Sequence, residues 1–233
     1  MKPLMVLLSL GVFVASVGYG QAPQDATARL RLDAAIPALT EALRDRDPSV
    51  RGAAAIAIRE MGPEAKAAIP ALADLVRDPD GYVRGAAAQT LERLGPQAVP
   101  SLVSLLRDEE PRVRELAATT LREIGSDAKP AIPALADALR DTSPSVRAVA
   151  ALALREMGPE AKAAIPALAE RVRDPDRYVR GIAAETLERM GSQAVPSLLP
   201  LLRDRDARVR ELAVETLRQI GLEIELNKGD KSP

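Results

Sequence analysis

An apolar-proline pair recurs along this chain at a nearly constant interval, and that regularity limits the fold more than any other feature. It stands at Ile36-Pro37, Ile69-Pro70, Val99-Pro100, Ile132-Pro133, Ile165-Pro166 and Val195-Pro196, with intervals of 33, 30, 33, 33 and 30 residues. A Val-Arg pair keeps step with it at Val50-Arg51, Val83-Arg84, Val113-Arg114, Val146-Arg147, Val179-Arg180 and Val209-Arg210. A glycine closes each unit at Gly62, Gly95, Gly125, Gly158, Gly191 and Gly221. Three markers in phase over six copies describe stacked supersecondary units, each unable to bury its apolar surface alone.

Each unit reads as two helices. The first opens on the proline, whose missing N–H costs nothing in a first turn, and runs to an Arg-Asp turn, as in Pro100–Asp108. The second is capped by Asp47, Asp80, Glu110, Ser143, Asp176 or Asp206; Asp and Ser at such a position accept a bond from the orphan amides of the first turn. Val113, Leu116, Ala117, Thr120, Leu121 and Ile124 fall on one face of a helix. The glycine that follows is placed to end the helix in a left-handed conformation. Ala53, Ala87, Ala117, Ala150, Ala183 and Ala213 are expected to let helices approach closely. Apolar residues, 47% of the chain, are mostly Ala and Leu, which favour helix, and strand-forming runs are missing.

The motif of a Pro-Ala-Leu or Pro-Ser-Leu opening, an Arg-Asp turn, Val-Arg and a terminal Gly resembles the HEAT-like repeats of the phycobilisome-lyase type. The resemblance spans residues 34–221 and implies an all-α, armadillo-like fold: a right-handed α-α superhelix, or solenoid, of six HEAT-like helical hairpins. It also implies a ladder of charged hydrogen bonds along the stack, from Asp45, Asp78, Asp108, Asp141, Asp174 and Asp204 to Arg51, Arg84, Arg114, Arg147, Arg180 and Arg210. A longer period lies over the repeat. Residues 34–125 match 130–221 at an offset of 96, with about 24 differences over 92 positions. The chain is a three-repeat block copied once.

Residues 1–20 differ from the rest. Lys2 precedes an apolar run from Leu4 to Val17, with Gly18 and Gly20 ahead of Gln21. The run is short for a bilayer span and suits a secretory signal peptide, so export to the periplasm or outside the cell is expected; an uncleaved anchor is the other reading. Residues 21–33 then form a linker and the start of the first helix, and 222–233 a tail whose first part caps the last repeat. Loss of Lys2 would take one charge from a chain whose formal net charge is −1. Such a balance gives little attraction for nucleic acid or anionic lipid, so neither is expected as a partner.

The chain has no Cys and no His. Thiolate nucleophiles, imidazole bases and the commonest metal ligands are therefore missing. No cofactor and no metal are expected, and no catalytic residue stands out. The resemblance brings two enzyme-linked readings: a bilin-lyase-like or other enzyme-assisting module, and a hydroxylase whose iron-holding His-Glu motifs match no position here. The leading expectation is a non-catalytic scaffold that binds a protein or peptide on the concave second-helix face; a self-assembling repeat segment is a further alternative. On that face, the column nine residues after each Val reads Arg59, Glu92, Arg122, Arg155, Glu188 and Arg218. These charges either read a charged partner or keep the face soluble. Ile56 and Leu152 are apolar where Gln89, Thr119, Glu185 and Glu215 are polar. Tyr82 and Tyr178 stand at equivalent positions beside the inter-helix turn; tyrosine is common at binding hot spots, and packing on a neighbouring turn is the competing role.

Overall fold

The structure, a computed structural model, describes residues 26–229, with side chains over 34–221. The expected signal peptide lies outside the described residues. The chain divides between Leu105 and Leu106 into two compact units. This boundary falls inside the third repeat, between its two helices. All regular structure among the described residues is helical.

The first unit contains α1 (Ala26–Ala42), α2 (Pro48–Met61), α3 (Ile69–Leu75), α4 (Gly81–Leu94) and α5 (Val99–Leu105). Short 3₁₀ segments, Gly62–Ala68 and Gly95–Ala98, link α2 to α3 and α4 to α5. α2 packs along α4, and α1 and α3 each pack on the second helix of their own hairpin. The core is built from Leu39, Leu43, Ile58, Leu72, Leu91 and Leu102, all 3% exposed or less.

The second unit contains α6 (Pro111–Ile124), α7 (Ile132–Ala138), α8 (Pro144–Met157), α9 (Ile165–Arg171), α10 (Arg177–Arg189), α11 (Val195–Leu198) and α12 (Ala207–Gly229). The second helices α6, α8, α10 and α12 pack in sequence, each on the next. Leu121, Leu135, Leu154, Leu168 and Leu187 are fully buried.

Local chemistry explains most element boundaries. Asp47 accepts from the Ser49 amide, and Asp80 and Asp176 each accept from two amides of the turn they cap. Asp206 accepts from the Arg208 amide. Ser143 and Glu110 occupy the cap position without a side-chain cap bond. Glu110 pairs with Arg112 instead, and the glutamate side chain is one methylene longer than the aspartate that fits there. Pro70, Pro133, Pro166 and Pro196 lie in the first turn of their helices, whereas Pro37 lies inside α1. Pro200 stands where the sister block has Ser104. α11 accordingly stops at Leu198 and gives way to a 3₁₀ segment, Leu199–Arg203, because proline cannot donate within a helix.

Two further local expectations need correction. Gly62, Gly95, Gly125, Gly158 and Gly191 have φ of 61–70° and end the second helices, but Gly221 is helical and α12 runs on to Gly229. Leu222-Glu-Ile-Glu-Leu is a sequence that a helix accepts, and no apolar-proline pair lies between Gly221 and Gly229. The side chains expected to cap the last repeat lie outside the described residues. Ala53 is exposed, and Ala54, one residue on, holds the buried place, since only Ala54 shares the register of Ala87, Ala117, Ala150, Ala183 and Ala213.

Candidate partner-binding face

The turn aspartates do two jobs at once. In every repeat one carboxylate oxygen accepts from the amide two residues on: Asp47 to Asp45, Asp80 to Asp78, Glu110 to Asp108, Ser143 to Asp141, Asp176 to Asp174 and Asp206 to Asp204, at 2.8–3.0 Å. The Val-Arg arginine then closes the same turn from above. Its Nη1 donates to the carbonyl of that aspartate and of the next residue, for Arg51, Arg84, Arg114, Arg147, Arg180 and Arg210 alike.

Between repeats, the other edge of the guanidinium grips the next aspartate in fork geometry, the strong form of this pair. Arg51 donates to Asp78 at 2.7 and 2.9 Å, Arg114 to Asp141 at 2.6 and 2.7 Å, and Arg147 to Asp174 at 2.8 and 2.7 Å. The last rung departs from the pattern. Asp204 is held by Arg173, from the end of the preceding first helix, rather than by Arg180. The link before it, Gly191–Ala194, has 4 residues against 7 in Gly158–Ala164. Burial raises the carboxyl pKa of Asp78, Asp141 and Asp174, but the arginine forks and the turn amides together outweigh it and hold all three below the usual range.

The exposed side of the second helices carries the residues singled out for a partner. Arg59 donates to Gln89 at 2.7 Å, and Arg155 to Glu185 at 2.7 Å. Arg122 lies 3.8 Å from Glu156. Arg218 is held by Glu215 of its own helix, which pushes the Glu215 carboxyl down to about 2. Four arginine forks of this column thus already face acceptors from the chain itself. Glu92 and Glu188 are half-buried, as are Ile56 and Leu152.

Tyr82 and Tyr178 are 62% and 60% exposed. Tyr82 rests its ring edge over Gly52 of the preceding repeat: a Cβ there would come within 2.6 Å of Cε1. On α10, Tyr178 joins Asp176, Arg177, Gly181, Ile182 and Glu185 around a shallow groove of about 550 Å³. Among the described residues no group of acidic, His or Cys side chains is arranged to hold a metal ion.

Sequence reasoning missed two buried hydroxyls. Thr90 donates to the carbonyl of Ala55 in the preceding repeat at 2.9 Å, and Thr186 to that of Ala151 at 3.3 Å. A threonine recurring in an otherwise Ala and Leu face is the signal that marks them. Surface pairs at repeat spacing, Lys129 with Glu160 and Arg140 with Glu170, were also not singled out.

A HEAT-repeat family model matches residues 25–92, 69–155, 127–188 and 165–228. Comparison with curated proteins returns no match. Among solved structures, the chain is similar to the complex of CpcE and CpcF of phycocyanin lyase from Nostoc sp. PCC7120, at 25% identity and a TM-score of 0.51, covering 65% of this chain and 98% of that one. It is also similar to computationally designed armadillo repeat proteins for modular peptide recognition, at 18% identity and a TM-score of 0.51, covering 79% and 99%. An engineered protein matches at 24% identity and a TM-score of 0.48, covering 80% and 96%.

Proposed function

The chain belongs to the HEAT-repeat family, and from that premise we propose that it is an exported, non-catalytic scaffold that holds a protein or peptide partner on its second-helix face. The observation that carries this reading is the alignment of α6, α8 and α10. Arg122 and Arg155 are half-buried and Glu185 and Tyr178 exposed; Arg122 lies beside Glu156 and Arg155 bonds Glu185, which with Tyr178 lines the groove. Side chains at equal register on consecutive repeats form a periodic row, suited to an extended segment. The arginines are bridged to glutamate or glutamine, so an acidic partner competes for forks that are already oriented. Their geometry is thereby preset, which lowers the ordering cost of binding.

The test is capture from the cell-envelope fraction with the purified protein as bait, comparing the parent with the pair Arg122→Glu and Arg155→Glu. Loss of the captured partner, with helical content and melting temperature nearly unchanged, supports the reading. Capture that survives this pair and is lost instead on first-helix changes refutes it. N-terminal sequencing tests export: a mature protein starting near Gln21 is expected, and a soluble cytosolic protein retaining Met1 refutes it.

The 25% identity to the CpcE–CpcF complex favours one second reading, a module that assists an enzyme by assembling with another subunit. Bilin-binding protein found as the captured partner selects it.

A further inference from the structure

The junction between the third and fourth repeats lies within the second unit, where α6 packs on α8. Three charge pairs tie it. Arg114 grips Asp141 at 2.6 and 2.7 Å, Arg122 lies 3.8 Å from Glu156, and Arg107 lies 3.9 Å from Asp137. Because the three-repeat block is copied at an offset of 96, the last repeat is a near-copy of the third and the first a near-copy of the fourth. The counterparts of the three pairs are Arg210 and Asp45, Arg218 and Glu60, and Arg203 and Glu41. Every member has kept its charge. Within one chain the three arginines are on the last repeat and the three acids on the first.

Both halves are preset. Arg210 rests its Nη1 on the carbonyls of Asp204 and Arg205 at 2.8 and 3.1 Å, as Arg114 does on Asp108 and Glu109 at 2.8 and 2.9 Å. The Nε–Nη2 edge, which in Arg114 holds Asp141, has no hydrogen-bond partner in Arg210 among the described residues. Asp45 accepts from the Asp47 amide at 2.8 Å, as Asp141 does from Ser143. The apolar surroundings are uncovered in parallel. Val214 is 56% exposed where Ala118 is fully buried. Leu217 and Val50 are half-buried where Leu121 and Val146 are fully buried.

We infer that the last repeat of this protein docks the first repeat of a second copy, reproducing the α6–α8 junction between chains. Arg210 of one copy forks onto Asp45 of the next, Arg203 faces Glu41, Arg218 turns from Glu215 of its own helix toward Glu60, and Val214 and Leu217 are covered. A second copy is the fitting occupant because donors and acceptors stand in one register, and the chain already uses that register internally. The contact joins two different surfaces, so it propagates head to tail rather than closing as a two-fold dimer. It shares Arg218 with the second-helix face proposed above, and is distinguished from that reading because its test uses the purified chain alone.

Sedimentation velocity and light scattering of the purified protein over rising concentration test this. The expected result is a mass that climbs past two chains and falls back at high salt, which screens exposed charges. Arg210→Glu and Asp45→Arg should each weaken association about 30-fold or more, the loss typical when one member of a bonded charge pair is reversed or removed. An equimolar mixture of the two variants should restore assembly, because every junction then joins opposite charges. Val214→Asp provides a second probe of the same surface, and the melting curve of each variant checks that it folds. A mass fixed at one chain at every concentration overturns the proposal. So does a dimer that grows no further, association indifferent to the charge reversals, or a mixture that fails to recover.

Discussion

Asp174→Ala should be the costliest single substitution in the turn ladder. Asp174 is 2% exposed and its side chain fully buried; the Arg147 side chain is 9% exposed. Arg147 donates to both Asp174 oxygens, Arg171 adds a contact at 3.2 Å, and the Asp176 amide bonds the same carboxylate at 3.0 Å. Removing the carboxylate leaves a buried guanidinium charge without its counter-ion and an orphaned amide. Breaking a buried pair this way costs about 3–5 kcal/mol. The more exposed rung is the internal control: Arg173 and Asp204 are 47% and 14% exposed at the side chain, and water near the guanidinium screens the pair. Urea titration followed by circular dichroism reads the difference. With a slope near 2 kcal/mol per molar, Asp174→Ala should lower the midpoint by about 1.5–2.5 M and Asp204→Ala by clearly less. Replacing the pair together, Arg147→Met with Asp174→Leu, should recover most of the loss, because no buried charge is then left alone. Equal losses at the two rungs, or no recovery in the double variant, would show that the buried fork is not what holds this junction.

Three further outcomes follow from the same coordinates. Leu121 is fully buried and Leu217, its counterpart in the last repeat, is half-buried; Leu121→Ala should cost about 2–5 kcal/mol and Leu217→Ala clearly less, and equal denaturant shifts would refute the weaker end. Gly125 has φ of 69° whereas Gly221 is helical; Gly125→Ala should destabilise by about 1–2 kcal/mol and Gly221→Ala stabilise by about 0.5–1 kcal/mol, with thermal melts giving opposite signs. Asp78, Asp141 and Asp174 have folded pKa values below their unfolded one near 3.9, so their stabilisation is complete above about pH 4 and is lost as pH falls through the lowered values; a melting temperature that holds from pH 7 to 5 and drops below 4 is expected, and a drop already between 7 and 5 would contradict it.

The sequence by itself determined the helices, their order and most of their ends. It did so because the bonds responsible are local. The cap aspartates reach amides two or three residues on, and the Val-Arg arginines reach carbonyls five and six residues back. Such contacts depend on chain connectivity and residue type alone, so three markers in phase were enough to read them. The candidate face was legible only in part. The column of Arg59, Arg122, Arg155 and Arg218 could be listed by register, but not that Gln89, Glu156, Glu185 and Glu215 stand beside those forks.

Tertiary structure decided which of the possible bonds between one repeat and the next are made. These bonds cross 27 to 35 residues, and which side chains meet depends on the position that packing gives each hairpin. Asp204 pairs with Arg173 rather than with Arg180, an exchange that the repeated Asp and Val-Arg markers do not announce. Register also separates Ala54, buried, from Ala53, exposed, though the two are adjacent and identical in type. At Gly221 the same residue that ends five other helices continues one, because a left-handed stop is adopted when a following link and helix fold back onto the hairpin, and the residues from Gly221 to Gly229 continue the helix instead. Local chemistry writes the unit; the packing of neighbours decides how each unit is used.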